Sequence, residues 1–197
     1  MKKIALTSLV AALAVSAANA ATTHFVGGAA AIATDSDHAS ILAIAPEFGW
    51  KYDSNWDLGL NARLGWDHKA LAEEYGINGE TYEYGVGAFA RYKVAQFGGV
   101  KLLLKGSVGA DFVTYSPDEG DAETKSSIGA EIIPMITYDI SESFTLYANL
   151  NFLGVYAGYD FKNDNLGVKD GWTVAAFGDA DDVANTGNFQ IGFTYNF

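Results

Sequence analysis

From Trp56 to Asp67 the chain alternates without a break. Trp56, Leu58, Leu60, Ala62, Leu64 and Trp66 fall on one side, and Asp57, Gly59, Asn61, Arg63, Gly65 and Asp67 on the other. Successive side chains of a strand point to opposite faces, so this run predicts a strand with one apolar face and one polar or glycine face. A helix of 3.6 residues per turn would mix the two sets. The same period recurs. Leu42, Ile44, Pro46, Phe48, Trp50 and Tyr52 oppose Ala43, Ala45, Glu47, Gly49 and Lys51. Tyr82 to Tyr92 and Val100 to Phe112 repeat it, and the chain ends Phe189-x-Ile191-x-Phe193-x-Tyr195-x-Phe197. In 125–139 and 144–160 the pattern is noisier, because Ile133, Met135, Leu153 and Val155 fall on the polar side. The faces of the alanine- and glycine-rich stretch 23–34 stay unassigned. The periodicity predicts eight strands, about 23–34, 40–52, 56–67, 81–94, 100–115, 125–139, 144–160 and 185–197.

The links between them alternate in length. Asp53–Asn55, Ala95–Gly99 and Asp139–Ser143 are short, whereas 35–39, 68–80, 116–124 and 161–184 are longer. An even number of strands with short turns at one end and longer loops at the other is the layout of a bacterial outer-membrane barrel. A secreted soluble barrel or sandwich alternates in the same way. Two features weigh against it. The polar face is rich in glycine (Gly49, Gly59, Gly65, Gly85, Gly87, Gly109), which suits a crowded lumen. Aromatic residues also gather at both ends of the apolar faces: Trp50, Tyr52, Trp56, Tyr92, Tyr138, Phe144, Tyr195 and Phe197 by the short turns, and Trp66, Tyr82, Phe112 and Tyr156 by the long links. Two girdles flanking an apolar band fit the two membrane interfaces. The fold class expected is therefore all-β, a transmembrane antiparallel up-and-down barrel of eight strands.

The start of the chain reads differently. Met1-Lys2-Lys3, the apolar run Ile4–Val15 and the exit Ala18-Asn19-Ala20 make a signal peptide over 1–20 that is cleaved after Ala20. The apolar run is shorter than the ~20 residues of a membrane-spanning helix. The barrel would then occupy 21–197. Losing Lys2 and Lys3 moves the formal charge from -12 to about -14.

Signal peptide, alternating strands and the terminal Phe193-x-Tyr195-x-Phe197 together resemble the small OmpA/OmpX-type outer-membrane barrels. The resemblance covers all of 21–197. It implies outer-membrane localisation, contact with outer-membrane lipid and lipopolysaccharide, and recognition of Phe193, Tyr195 and Phe197 by the barrel assembly machinery. A monomer is the expected state, and surface interaction through the loops is the family's default. Pro46 and Pro134 depart from the pattern: each removes a ladder donor inside a strand, so a bulge or a shifted boundary is expected at both.

Charge sharpens this picture. Twelve Lys+Arg against 24 Asp+Glu excludes the basic footprint of a nucleic-acid binder. Zero cysteine excludes a disulfide framework, a thiolate metal site and a cysteine nucleophile. Most of the excess acid lies in the long links and their rims, with Asp179-Ala-Asp181-Asp182 the densest patch. It lacks a calcium-loop spacing, so solvated loops are the favoured reading over weak divalent-cation binding. The lumen is nearly balanced. Glu47, Arg63, Glu83, Arg91, Lys101, Lys105, Asp111 and Glu131 point inward on this parity, with Glu47 diagonally opposite Arg63. A salt-bridged plug is expected to fill so narrow a barrel, in preference to a rearrangeable gate.

For chemistry, His38-Ala39-Ser40 with Asp37 and the nearby Asp67-His68 is similar in spacing to lipid A deacylases. It sits at a loop, and Asp37 would point away from His38 on a strand. No catalytic residue, cofactor or metal site is therefore expected, and no phosphate loop or dinucleotide fingerprint appears. A structural or surface-interaction protein is the leading function. A narrow pore remains open, as does an apolar-solute channel lined by Phe89, Leu103, Ile133, Met135, Leu153 and Val155. The longest link carries Trp172, Val174 and Phe177, candidate anchors for an extracellular partner.

Overall fold

The computed structural model describes residues 23–35, 38–67, 79–178 and 189–197. The leader, His68, the acids of 68–78 and the patch 179–182 lie outside the described residues, as do the side chains of His38, Ser40, Asp67 and Phe177. Within the described residues the strands are β1 (His24–Asp35), β2 (His38–Lys51), β3 (Trp56–Asp67), β4 (Gly79–Phe97), β5 (Val100–Pro117), β6 (Glu123–Asp139), β7 (Phe144–Leu150), β8 (Leu153–Asp160), β9 (Gly171–Gly178) and β10 (Phe189–Asn196). All of these strands pair antiparallel. The order β5-β4-β3-β2-β1-β10-β7-β6, with β6 returning to β5, closes a ring of eight.

β8 and β9 extend the wall above β7 and β10 rather than adding to the ring's number. β6 holds β7 along Met135–Asp139 and β8 along Ser127–Ile132, so β7 and β8 are two halves of one run broken at Asn151–Phe152. β10 pairs with β7 and β9 with β8 on the same side of that run, and β9 has no pairing with β1 among the described residues. The long link expected over 161–184 is thus shorter, because β9 lies inside it. Only 161–170 joins β8 to β9, bridged at Asn163 and Val168.

The break at Asn151–Phe152 also resets the side-chain parity. A one-residue slip sends every following side chain to the opposite face. Tyr147 and Asn149 point inward on β7, but on β8 Leu153 (46% exposed) and Val155 (48%) point outward and Tyr156 inward. Two of the six residues expected to line an apolar channel are therefore on the outside, and Tyr156 belongs to the lumen instead of the outer girdle. Ile133 and Met135 do face inward and are fully enclosed. β1 resolves likewise, with Phe25 and Ala29 inward and Val26 outward.

The prolines do not make bulges. β2 runs through Pro46 and β6 through Pro134. The register irregularities fall at Ala33/Asp35 and Lys93/Ala95 instead. At Pro46 the β2–β3 ladder passes from Ile44 to Glu47 without a paired residue between. Pro134 stands where β6 changes partner, between the end of its β8 register at Ile132 and the start of its β7 register at Met135. In both places the missing donor falls where the neighbouring ladder is already interrupted.

The short turns have local causes. Asp53 Oδ1 accepts from the Asn55 N–H at 2.7 Å and the Trp56 N–H at 2.9 Å, a side-chain mimic of a backbone turn. Gly98 takes φ +61° at the first central position of a two-residue hairpin, where a side chain would be strained. Ser141 Oγ accepts from the Phe144 N–H at 3.1 Å.

Candidate functional site: the lumen

Inward positions of the ring meet in the lumen, which is layered along its length. At its middle lies the buried core: Phe25, Phe89, Leu103, Ile133, Met135 and Tyr147. Rings fit into so narrow a space because glycines stand opposite them. A Cβ on Gly49 would strike the Phe25 ring, one on Gly59 the Phe89 ring, and one on Gly192 the Tyr147 ring. The glycine content of the polar face is thus the complement of its aromatic residues.

Within this core Arg91 and Glu47 form an ion pair at 2.6 Å, with side-chain exposures of 3% and 2%. The Arg91 guanidinium lies 4.5 Å from the Phe89 ring centroid, 5.4 Å from Phe25 and 5.3 Å from Tyr147. A cation on ring faces gains from their quadrupoles, more so away from water. Lys105 leans on Phe89 at 5.4 Å and has no hydrogen-bond acceptor or ion-pair partner among the described residues.

The expected diagonal pairing of Glu47 with Arg63 is not formed. Glu47 stands directly opposite Asn61 and reaches over to Arg91 on β4 instead. Arg63 turns the other way, to Asp111 on β5 at 2.5 Å. Gly85 lies between those two in register, and a Cβ there would collide with the Asp111 carboxylate. Lys101 pairs with Asp139 at 2.6 Å, and Asp139 also accepts from Thr145 at 2.8 Å. Glu131 accepts from Ser107 at 2.8 Å. Glu83 is exposed to the outer end of the lumen, with no partner among the described residues.

Sequence reasoning singled out none of Lys51, Asp57 or Asp139 as lumen charges, although they close the lower end around Lys101. The Asp57 signal was present, since it sits on the polar side of the cleanest strand. Tyr147 and Asn149 were equally readable from Thr145-x-Tyr147-x-Asn149 alternating with Leu146, Ala148 and Leu150.

On the outside the girdle residues occupy outward positions. By the short turns stand Trp50, Tyr52, Trp56, Tyr92, Tyr138 and Phe144, with Trp56 and Tyr92 in contact at 4.8 Å. Phe193 and Tyr195 face out from β10, Phe197 is exposed just beyond its end, and Phe144 stacks on Phe193 at 5.5 Å. At the other end stand Trp66, Tyr82 and the stacked pair Tyr84–Phe112 at 5.3 Å. A third cluster there, Tyr159 with Phe161 and Trp172, each at 5.3 Å, had not been expected. Among the described residues no group of three or more His, Asp or Glu side chains is placed to hold a metal ion.

No protein-family model matches the chain, and no curated protein matches it in sequence. Solved structures do. The crystal structure of Neisserial surface protein A is similar at 17% identity and a TM-score of 0.52, over 90% of this chain and 98% of that one. A major outer membrane protein from Thermus thermophilus is similar at 15% identity and a TM-score of 0.47, over 90% and 100%. Ail, the attachment invasion locus protein of Yersinia pestis, is similar at 14% identity and 0.42, over 89% and 97%. With its ring of eight antiparallel strands, this chain has the fold of the small outer-membrane β-barrels.

Proposed function

We propose that the chain is an integral outer-membrane barrel with a structural or surface-interaction role, whose lumen is closed to solutes at the Arg91–Glu47 level. Placement in a membrane is supported by what covers the outside. Leu64, Val86, Leu104, Val108, Ile132 and Leu146 are all large, apolar and exposed, a surface that water would not tolerate over so wide an area. Trp56 and Trp66 bound this band on β3. Ten residues at ~3.4 Å each span about 34 Å along the strand, or about 26 Å along the axis at the ~40° tilt of such barrels. That equals the apolar height of an outer-membrane barrel.

One observation carries the closed lumen: an ion pair only 2–3% exposed, wrapped by Phe25, Phe89 and Tyr147 at mid-barrel. An eight-stranded barrel has room for side chains and little more. Planar-bilayer recording of the refolded protein tests it. A silent membrane is expected for the wild type and for Arg63→Ala, because Arg63 lies outside the closing layer. Stepwise conductance from the wild type would replace the plug with the pore reading. The apolar-channel alternative has lost two of its six lining residues to the outer surface.

Surface interaction would use the β8–β9 hairpin. It is tied down by Asn163, whose Nδ2 donates to the Thr124 carbonyl at 3.0 Å, and by Asn165, whose Nδ2 donates to Glu123 at 2.5 Å. Trp172 and Val174 are 74% and 79% exposed on its β9 arm. A rigid hairpin presenting large apolar side chains suits docking to a protein surface or to the lipid interface.

A further inference from the structure

On the outside of the barrel the wall carries a recess of about 680 Å³. Its floor is Ala88, Ala90, Gly106, Ala130 and Ala157, at outward positions between the inward Phe89, Ser107, Glu131 and Tyr156. Two register rows make it. One runs Ala88, Val108, Ala130, Ala157 and Val174, and the other Ala90, Gly106, Ile132 and Val155. Larger side chains fence both sides. The next outward row above holds Val86, Ile128, Tyr159 and Trp172, and the next below holds Tyr92 and Leu104. One hollow touches β4, β5, β6, β8 and β9 in turn, so the outer surface is concave where a closed barrel is ordinarily convex.

The walls decide what fills it. Every side chain that points into the recess is apolar. The backbone beneath is paired on both sides from β4 to β8, so no free edge there invites an added strand. A second copy docked about a two-fold axis through the recess would set hollow against hollow. The recess is continuous with the apolar coat through Leu104, Val108 and Ile132, all large and exposed. Its neighbours in a bilayer are therefore acyl chains. Lipid tails are as apolar as the wall, so packing and not water selects the occupant. An empty recess forfeits dispersion contacts along its whole floor, and a flexible alkyl chain restores them.

We infer that this recess seats an acyl chain of one membrane lipid. Its rows cross four strand spacings, about 19 Å at ~4.8 Å each. That length lodges a chain reaching through one leaflet, about half of a ~30 Å hydrocarbon core. At β9 the recess ends one row beneath Trp172 and Tyr159, in contact at the loop end of the barrel, so the lipid comes from the outer leaflet. The seat presupposes the membrane placement proposed above, and it leaves the lumen untouched.

Native mass spectrometry of the full refolded chain, released from maltoside micelles with added dipalmitoyl phosphatidylcholine, tests the seat. A monomer that keeps one lipid is expected. Ala130→Phe and Ala157→Phe raise the floor, and each should weaken lipid retention about tenfold by removing chain contacts. Leu146→Phe, on the coat of β7 away from the recess, should leave retention unchanged, and an equal loss there would overturn the seat. Heat-modifiable gel mobility checks that each variant folds. If neither floor variant folds, the wild type still decides: dihexanoyl phosphatidylcholine, with the same headgroup and shorter chains, should be lost. Equal retention of the two lipids would overturn the seat, as would a bare monomer or a dimer without lipid. Tryptophan emission in vesicles reads insertion separately. A chain that inserts yet keeps no lipid refutes the seat alone, whereas one that does not insert refutes the membrane placement with it.

Discussion

Arg91 reaches from β4 to Glu47 on β2, over the strand between them, and this pair sets the energetic character of the lumen. Glu47 Oε1 and Arg91 Nε are buried without a hydrogen-bond partner, so each charge depends heavily on the other. Removing one partner of such a pair strands the other in a low dielectric, whereas replacing both with apolar residues leaves little to regret. Glu47→Ala is therefore expected to lower the unfolding free energy by about 3–5 kcal/mol, read from urea unfolding in lipid vesicles. The double variant Glu47→Leu with Arg91→Met should recover most of the loss. A double variant as unstable as the single one would show that the pair is not the source. Gly59→Ala is expected to cost about 1–3 kcal/mol by overpacking, because its methyl group meets both the Phe89 ring and the Phe48 carbonyl. The same urea transition measures it. Strand parity alone placed Glu47, Arg63, Arg91 and Asp111 inside the barrel. It could not say which would pair. Partner choice spans three strands, and depends on barrel curvature and on where a glycine such as Gly85 lets a long side chain pass.

At the level of elements, the sequence pattern identified the cleanest strands almost residue for residue, since β3 coincides with the run from Trp56 to Asp67. It failed where the alternation itself changed phase. Asn151–Phe152 interrupts one run, and the halves on either side, β7 and β8, keep opposite parity. A reading that continues the phase of β7 turns Leu153 and Val155 inward and Tyr156 outward. Burial of Tyr156 over Gly129 and Gly158 is then invisible, although all three residues are plain in the sequence. β9 was hidden for a related reason: Trp172, Val174 and Ala176 alternate with Thr173 and Ala175, but only four pairs long and amid acidic links. The chain has no cysteine, so single labels report on this phase directly. A fluorophore attached after Val155→Cys should be quenched by spin-labelled acyl chains in vesicles, and one attached after Gly154→Cys should not. The reverse result would restore the uninterrupted phase.

For the whole molecule, the arrangement inverts that of a water-soluble domain. The 49% hydrophobic content is divided between a small buried lumen core and a wide apolar coat, and the charges of the barrel wall are turned inward. The four tryptophans record that inversion. Trp50 and Trp56 face outward beside the short turns, and Trp66 and Trp172 face outward near the opposite end. Indole rings settle at the boundary between acyl chains and headgroups, where the ring is apolar and the N–H stays wet. If the coat faces lipid, folding into vesicles should carry all four rings from water to the two interfaces, and their emission should shift to the blue together. Lipids brominated high on the acyl chain should then quench the emission more strongly than lipids brominated near the bilayer centre. A soluble barrel with the same strands would bury its apolar face, and neither bromine position would matter. Strongest quenching from the bilayer centre would likewise contradict a band about 26 Å tall bounded by tryptophan at both edges.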